Sequence, residues 1–359
     1  MKPMRILYGY RYGIVGGVST QLILRQGALR RAGHDCELFF TQDNGLGAVL
    51  TERQGIHFGS PAKFRRLVRA GRFDAVVIID TPELLDLAAG LVFHRVPVFL
   101  DIHTTTSAGL AYLRDVDISK LSGIMVPTVY SSNLVRARLP KADRVSVVPN
   151  IIDSDLFAPR PITDTSEEQE KDLTREFVWV GKLDQHKNWR LALIYTALFK
   201  QLLGNVRLTL IGGYTAPEKQ ARAFFDLACE LGVSSDVDWL DRVENRMLPA
   251  IYCRSAESGG AMLVTSRDES FGMAAAEALL CGCPLIANDL PVFREVFPDS
   301  PLVQLLDIWR PEEVAAAAGR LSRPDTAQVE ELRNELAARY GPQAFLVSME
   351  KALGGMNAA

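Results

Sequence analysis

Two glutamates bracket the start of an alanine-rich segment, RDESFGMAAAEALLCGCPLIAND (267–289). Glu269 stands just before Ser270, Phe271, Gly272 and Met273, and Glu277 follows about two turns later. A helix starting near Phe271 has unpaired N–H groups and a partial positive charge in its first turn, which suits an anion such as a phosphate. Gly272 leaves room for that phosphate to approach the backbone. At 1.5 Å rise per residue, Glu277 falls about 8–10 Å along the helix. That is the reach from a diphosphate to the ribose of a nucleotide, whose two hydroxyls a carboxylate can accept. Glu269, on the loop side, would meet the hydroxyls of a sugar attached beyond the second phosphate. Spacing alone favours a plainer alternative: a helix-start carboxylate stabilised by the dipole, and a solvated glutamate.

Other groups could join them. Lys182 and Lys187 lie in GKLDQHKN (181–188), where two ammonium groups could neutralise a departing diphosphate. Losing one such stabiliser of developing charge typically costs ~2.7–4 kcal/mol of barrier. Taken alone they could also be surface lysines. Gly16 and Gly17, in YGYRYGIVGGVS, offer backbone donors for a phosphate or an acceptor. Their spacing is not the G-x-G-x-x-G of dinucleotide sites, and no acidic residue stands correctly after the second strand, which argues against a dehydrogenase. His103 ends PVFLDIH, either as a ligand for a sugar hydroxyl or as a satisfied interior histidine. Gly212 and Gly213 close LTLIGG.

These groups need elements to carry them. RILYGY (5–10), CELFF, DAVVIID, PVFLDIH, GIMVPT and VSVVPN read as strands, with a helix over 18–33 after the first. Short, nearly continuous apolar runs separated by helices imply parallel sheets covered on both faces. Residues 160–176, polar and acidic after FAPRP, break the pattern. It restarts with EFVWVG, RLTLIGG, VDWL, AMLVTS and PLIAND. The fold class is therefore α/β, with two doubly wound Rossmann-like domains facing across a cleft. The expected boundaries are 1–159, a linker at 160–176, 177–341, and a terminal helix at 342–359 crossing back to the first domain. ESGG (257–260) reads as a polar insertion before AMLVTS. Every candidate group follows a strand, at the carboxyl edge where such sheets bind ligands.

Composition limits the alternatives. A chain of 359 residues exceeds one core, and 48% hydrophobic with 23% charged residues is soluble globular usage. Forty basic against 43 acidic residues give a net charge of -3, too balanced for nucleic acid as the main partner. No apolar run reaches the roughly 18 residues of a membrane span, and no signal peptide is read at the N-terminus. Five scattered cysteines read as reduced buried thiols of a cytoplasmic protein. No histidine spacing implies a metal.

The ordered set resembles the retaining glycosyltransferases of family 4, in the GT-B fold superfamily. It comprises GGV (16–18), LDIHTT, VVPNIID (147–153), the strand-V-G-K with its second lysine, LIGG, E-x7-E at 269–277 with SFGM inside it, CGCPLIAND (281–289) and FREVF. The resemblance implies a donor, a nucleotide-diphosphate sugar, with a UDP-sugar favoured over a GDP-sugar and no cofactor or metal. It implies that Glu277 holds the donor ribose. Glu269 and the backbone of Ser270, Phe271, Gly272 and Met273 would grip sugar and diphosphate, with Gly213 on the donor side. Lys182 and Lys187 would stabilise the leaving diphosphate, Gly16 and Gly17 would line the phosphate and acceptor side, and His103 would meet the sugar near the reacting carbon. Asn150 would be structural. Family members commonly carry arginine where Lys182 stands, and P-N-G where this chain has Pro149-Asn150-Ile151. The implied reaction is same-face transfer with retention, the leaving oxygen taking the acceptor's proton, and the cleft is expected to close about the terminal crossover and the 150–176 connection, with donor binding as the trigger.

AKFRRLVRAGR (62–72) gathers Lys63, Arg65, Arg66, Arg69 and Arg72 around Phe64, Leu67 and Val68. Such a helix could lie on an anionic membrane and reach a saccharide or lipid-linked acceptor in cell-surface polysaccharide or glycolipid synthesis. A solvated basic helix is the alternative. The expected location is the cytoplasm, with peripheral contact at the inner face of the plasma membrane. Two rival functions share the pattern: a nucleotide-sugar epimerase and a non-catalytic nucleotide-sugar binding module.

Overall fold

A computed structural model describes residues 2–50, 52–89, 96–160 and 174–354. The chain divides into two compact units, the described residues of Met1–Ile151 with those of Ala338–Ala359, and Ile152–Ala337. Residues 152–159, assigned above to the first domain, thus group with the second. Residues 161–173 of the expected linker and 355–359 of the tail lie outside the described residues.

The first unit is built on a seven-stranded sheet in the order β3-β2-β1-β4-β5-β6-β7. Its strands are β1 Arg5–Gly13, β2 Asp35–Asp43, β3 Ile56–Phe58, β4 Ala75–Ile79, β5 Val98–Asp101, β6 Gly123–Val126 and β7 Val145–Val147. The second has six strands in the order β10-β9-β8-β11-β12-β13. They are β8 Arg175–Val180, β9 Val206–Ile211, β10 Val237–Leu240, β11 Met262–Val264, β12 Leu285–Asn288 and β13 Val303–Leu306. All pairings are parallel.

Burial on both faces explains the continuous apolar runs. In β1, Leu7 joins a core cluster with Phe39, Phe64, Val76 and Ile78. Its neighbours Ile6 and Tyr8 point the other way, into a cluster with Leu22, Leu38, Phe40, Phe345 and Met349. The last two belong to helix Pro342–Gly354, which therefore helps close one face of the first sheet. In the second unit Phe177 and Trp179 of β8 pack with Trp189, Tyr195 and Phe199 of helix Trp189–Leu203.

The structure corrects one expectation and places another segment. The basic segment forms helix Pro61–Gly71, capped by Ser60, but Phe64 and Val68 are buried in the first unit's core and Leu67 is half-buried. Its apolar side is largely spent on folding, and the exposed cations Lys63, Arg65, Arg66, Arg69 and Arg72 face outward. ESGG (257–260) forms a helix stop. Glu257 ends helix Leu248–Glu257, Gly259 takes φ +72°, and Gly260 lies directly against the backbone of Glu176. Ser255 Oγ donates to the same Glu176 carbonyl at 2.6 Å.

A Cβ on residue 260 would stand 1.9 Å from the Glu176 carbonyl oxygen. Gly260→Ala must therefore displace the start of β8, and overpacking of this kind costs about 1–3 kcal/mol. The urea midpoint for loss of the second unit is expected to fall accordingly. An unchanged midpoint would show that β8 yields freely at this end.

Candidate functional site

β8 and β11 are neighbours, yet β9 and β10 continue from one side and β12 and β13 from the other. The loops leaving two such strands diverge and open a crevice at their carboxyl ends. Lys182 and Lys187 follow β8, and Glu269 follows β11, so the candidate charges lie on the two lips of that crevice.

A short hydrogen-bond network ties the lips together. Thr265 Oγ1 accepts from Trp179 Nε1 at 2.9 Å and lies 3.0 and 3.1 Å from the Lys187 and Asn188 carbonyl oxygens, to which it donates. The Arg267 N–H donates to the His186 carbonyl at 2.9 Å. Asp184 Oδ1 accepts from the Lys187 N–H at 2.8 Å, and Asn188 adopts φ +55° as the chain turns into helix Trp189–Leu203. The result is an ion pair between Lys187 Nζ and Glu269 Oε1. The same oxygen accepts from Ser266 Oγ at 2.7 Å, and Asn288 Nδ2 holds the Ser266 carbonyl at 2.9 Å. Glu269 is 13% and Lys187 28% exposed at the side chain, so both remain open to a ligand. Lys182 is exposed and makes no ion pair among the described residues.

The helix after Glu269 runs Met273–Leu280 rather than from near Phe271. Gly272 precedes it at φ +93°, and a Cβ there would stand 2.6 Å from the Phe293 ring. Glycine is thus required by backbone conformation and packing together. Gly272, at the N-cap, has no side chain with which to cap the first turn. Phe271 is buried, so only its backbone could serve a ligand, whereas Ser270 and Met273 are half-buried. With the later start, Glu277 lies about 6 Å from the helix terminus, one turn rather than two. Nor is it solvated: only 7% of Glu277 is exposed. Burial, and secondarily the charge of Asp153, push its carboxyl up to about 8. No hydrogen bond or ion pair to its side chain is made among the described residues, and the neighbouring Tyr252 hydroxyl is also buried without a partner. Gly213 is explained by packing, with φ +88° and a Cβ that would meet Leu183 at 2.8 Å.

In the first unit, Gly16 and Gly17 form the turn into helix Gly17–Arg31. Gly16 is extended, and a Cβ at either residue would meet nothing within 4 Å. Neither conformation nor packing within the described unit calls for glycine there. His103 follows β5, with its side chain 4% exposed and Nε2 lying 3.2 Å from Asp101 Oδ2. Its backbone N–H donates to Asp80 Oδ2 at 2.8 Å. Burial would raise Asp101, but His103 and Arg25 outweigh it and hold the carboxyl at about 2. Burial wins at Asp80, pushed up to about 6. The Pro149-Asn150-Ile151 turn is held by the Gln21 side-chain amide, which donates to the Ile151 carbonyl at 2.6 Å and accepts from its N–H at 2.7 Å.

Sequence reasoning missed Thr265, Ser266, Asn288, Arg25, Asp80 and Asp101. Asp101 carried a signal, a carboxylate inside the apolar strand VFLDI. Among the described residues no three His, Cys, Asp or Glu side chains converge as a metal-binding group. All five cysteines are free, four buried and Cys229 exposed.

Because the folded carboxyl of Glu277 sits near 8 against an ordinary 4.5, the folded protein holds this proton where the unfolded chain has released it. Stability linked to Glu277 is therefore full below about pH 4.5 and is lost as pH rises toward 8. Glu277→Gln is expected to flatten that fall, gaining stability over the native protein steadily across this window. Urea midpoints measured at several pH values check this, and parallel curves would refute it.

Two family models match the chain. "Glycosyltransferase Family 4" matches residues 15–156 and "Glycosyl transferases group 1" residues 162–302. The chain is 26% identical over 339 residues to a phosphatidyl-myo-inositol mannosyltransferase of Mycolicibacterium smegmatis, covering 86% of this chain and 81% of that one. It is 30% identical over 205 residues to a D-inositol 3-phosphate glycosyltransferase of Xylanimonas cellulosilytica, covering 54% and 47% of the two chains. Among solved structures, Anabaena Alr3699/HepE in complex with UDP and glucose superposes with a TM-score of 0.81 at 17% identity, over 98% of this chain and 99% of that one. Sucrose-phosphate synthase from Thermosynechococcus elongatus does so with a TM-score of 0.76 at 15% identity, over 99% of each.

Proposed function

Since the chain belongs to the family 4 glycosyltransferases and has the GT-B fold, we propose that it transfers a hexose, with retention, from a nucleotide-diphosphate sugar to a hydroxyl acceptor. That it is a glycosyltransferase follows from the two family models and the relatives. The observation that carries the finer reading is the Lys187–Glu269 pair on the two lips of the β8/β11 crevice. An ammonium and a carboxylate held there, next to a helix start, match the two ends of a sugar diphosphate.

In this reading the diphosphate sits at the Gly272–Met273 turn and draws Lys187 from Glu269, with Lys182 closing from the exposed side. Glu269 then accepts from sugar hydroxyls, and Glu277 from the ribose. His103 and the Gly16–Gly17 turn of the first unit serve the sugar and the phosphate or acceptor. The acceptor oxygen forms its bond to the anomeric carbon on the face from which the diphosphate oxygen departs. That departing oxygen takes the acceptor's proton, so no protein base is needed. The protein contributes orientation and charge stabilisation. A UDP-sugar is favoured as donor, in keeping with the UDP and UDP-glucose held by Anabaena HepE. An inositol-containing or glycolipid acceptor is favoured by the names of the relatives, in a cytoplasmic protein of cell-surface glycan or glycolipid synthesis.

Lys187→Ala separates an enzyme from a binding module. Turnover should fall by a factor of roughly 100–1,000, the ordinary cost of one lost charge stabiliser, with donor affinity changed much less. A change confined to affinity would favour a binding module. Thermal-shift screening of UDP-, GDP- and ADP-sugars identifies the donor, and no shift with any of them would sink the reading.

Membrane contact, if made by helix Pro61–Gly71, must be electrostatic, since the apolar side is buried. Each exposed arginine near an anionic surface adds about 1 kcal/mol. Flotation with anionic vesicles at low salt is expected, and it should disappear at high salt and in Arg65→Ala/Arg66→Ala/Arg69→Ala. No flotation at low salt would exclude this contact.

A further inference from the structure

Three charged groups in the first unit converge around His103, and none is on the surface. Arg25, from helix Gly17–Arg31, is wholly buried beneath the Phe345 ring, 5.3 Å from its centroid. Its Nη1 lies 2.5 Å from Asp101 Oδ2, with both side chains 0% exposed. A buried pair of this kind adds little stability over apolar residues of the same volume, so folding alone does not account for it. Asp101 Oδ2 is also the atom that His103 Nε2 approaches at 3.2 Å. The ring edge bearing Nε2 is thus turned into the protein, toward a carboxylate, in a bent contact rather than a straight hydrogen bond.

The backbone of His103 is fixed separately. Asp80, at φ +36° just beyond β4, accepts from the N–H groups of His103 and Thr104 at 2.8 and 3.0 Å. Its other oxygen accepts from Tyr112 Oη at 3.0 Å. Asp80 is satisfied by these three donors and does not compete for the ring. Asp101 is the carboxylate that faces the imidazole.

We propose that Asp101 and Arg25 are positioning residues that hold His103 protonated at Nε2, leaving Nδ1 as a hydrogen-bond acceptor for a hydroxyl of the transferred sugar. An ionised carboxylate can only accept, so the ring nitrogen facing it carries the proton. Arg25, which stays charged, keeps Asp101 ionised. The group met by Nδ1 must therefore donate, which selects a hydroxyl over an ether or carbonyl oxygen. This inference rests on the reading of His103 as a sugar ligand.

The tautomer can be read in the full-length native protein by long-range 15N–1H correlation on 15N-histidine-labelled material. His103→Gln identifies its signals among the five histidines. The pattern of a ring protonated at Nε2 alone is expected at neutral pH. An Nδ1–H pattern, averaging between tautomers, or a doubly protonated ring would overturn the proposal. Asp101→Asn should abolish the preference. It should also shrink the affinity margin of UDP-glucose over UDP about tenfold, the worth of one hydrogen bond. A lost preference with an unchanged margin would overturn the sugar contact. Should Asp101→Asn fail to fold, the tautomer of the native protein decides the matter. Native protein that binds neither nucleotide would instead overturn the donor reading, whatever tautomer is found.

Discussion

The constraint on which the candidate site depends is the Thr265 hydroxyl, set between Trp179 of β8 and the backbone of Lys187 and Asn188. Adjacent parallel strands whose successors lie on opposite sides send their outgoing loops apart. Without a tie, Lys187 on one loop and Glu269 on the other would have no fixed separation. The Thr265 contacts and the Arg267–His186 backbone bond supply that tie. The ion pair that results is partly exposed and contributes little to stability after screening. Its value is geometric. On the proposed reading, the ammonium moves only from Glu269 to the arriving diphosphate and is in place before charge develops on the leaving group. Each partner of the pair also has an exchange available, the ammonium to a phosphate oxygen and the carboxylate to a sugar hydroxyl.

The two units share one strand order over six strands, to which the first adds β7 at its edge, and they use charge in opposite ways. In the second, Lys187 and Glu269 lie at the surface of a crevice and hold each other. In the first, Arg25 and Asp101 are fully withdrawn from water and act on a third residue, His103. A desolvated charge is tolerated only where a partner and hydrogen bonds replace its hydration, which explains why three elements meet there: helix Gly17–Arg31, β5 and helix Pro342–Gly354. The terminal helix is thus part of the first unit's core and also covers the guanidinium that orients its neighbour.

Much of the fold was legible because buried parallel strands read as unbroken apolar runs. VDWL coincides with β10. β3 and β13, edge strands of three and four residues, were not read as strands, although the equally short edge strands β7 and β10 were. Placement of the candidate groups after strands was legible too. Which lysine turns back toward Glu269 was not, because Asp184 and the positive φ of Asn188 decide it, and neither effect has a spacing signature. The helix start was placed two residues early because Phe271 looks like the first apolar residue of a helix, whereas its ring is buried ahead of the left-handed Gly272. Arg25 was hidden among Arg30 and Arg31 on one helix, where charge reads as a solvated face. Phe64 and Val68 misled in the other direction, since an apolar stripe looks the same whether it meets a core or a membrane.

Glu277 shows what the prepared site costs the fold. A buried carboxyl pushed up to about 8, with no protein hydrogen bond among the described residues and Asp153 adding repulsion, destabilises the unit at neutral pH. Folding would be served better by an apolar residue in the same helix. The position keeps an acceptor whose natural partners are hydroxyl donors, and a ribose diol supplies two of them. On the proposed reading, donor binding relieves the strain that folding leaves at Glu277, while at Lys187 and Glu269 it replaces a contact already made. The site therefore mixes two strategies, charges that are satisfied in advance and a buried carboxyl that waits. On the same reading, the waiting group lies one helical turn behind the phosphate position, so it would reward only a ligand long enough to reach both.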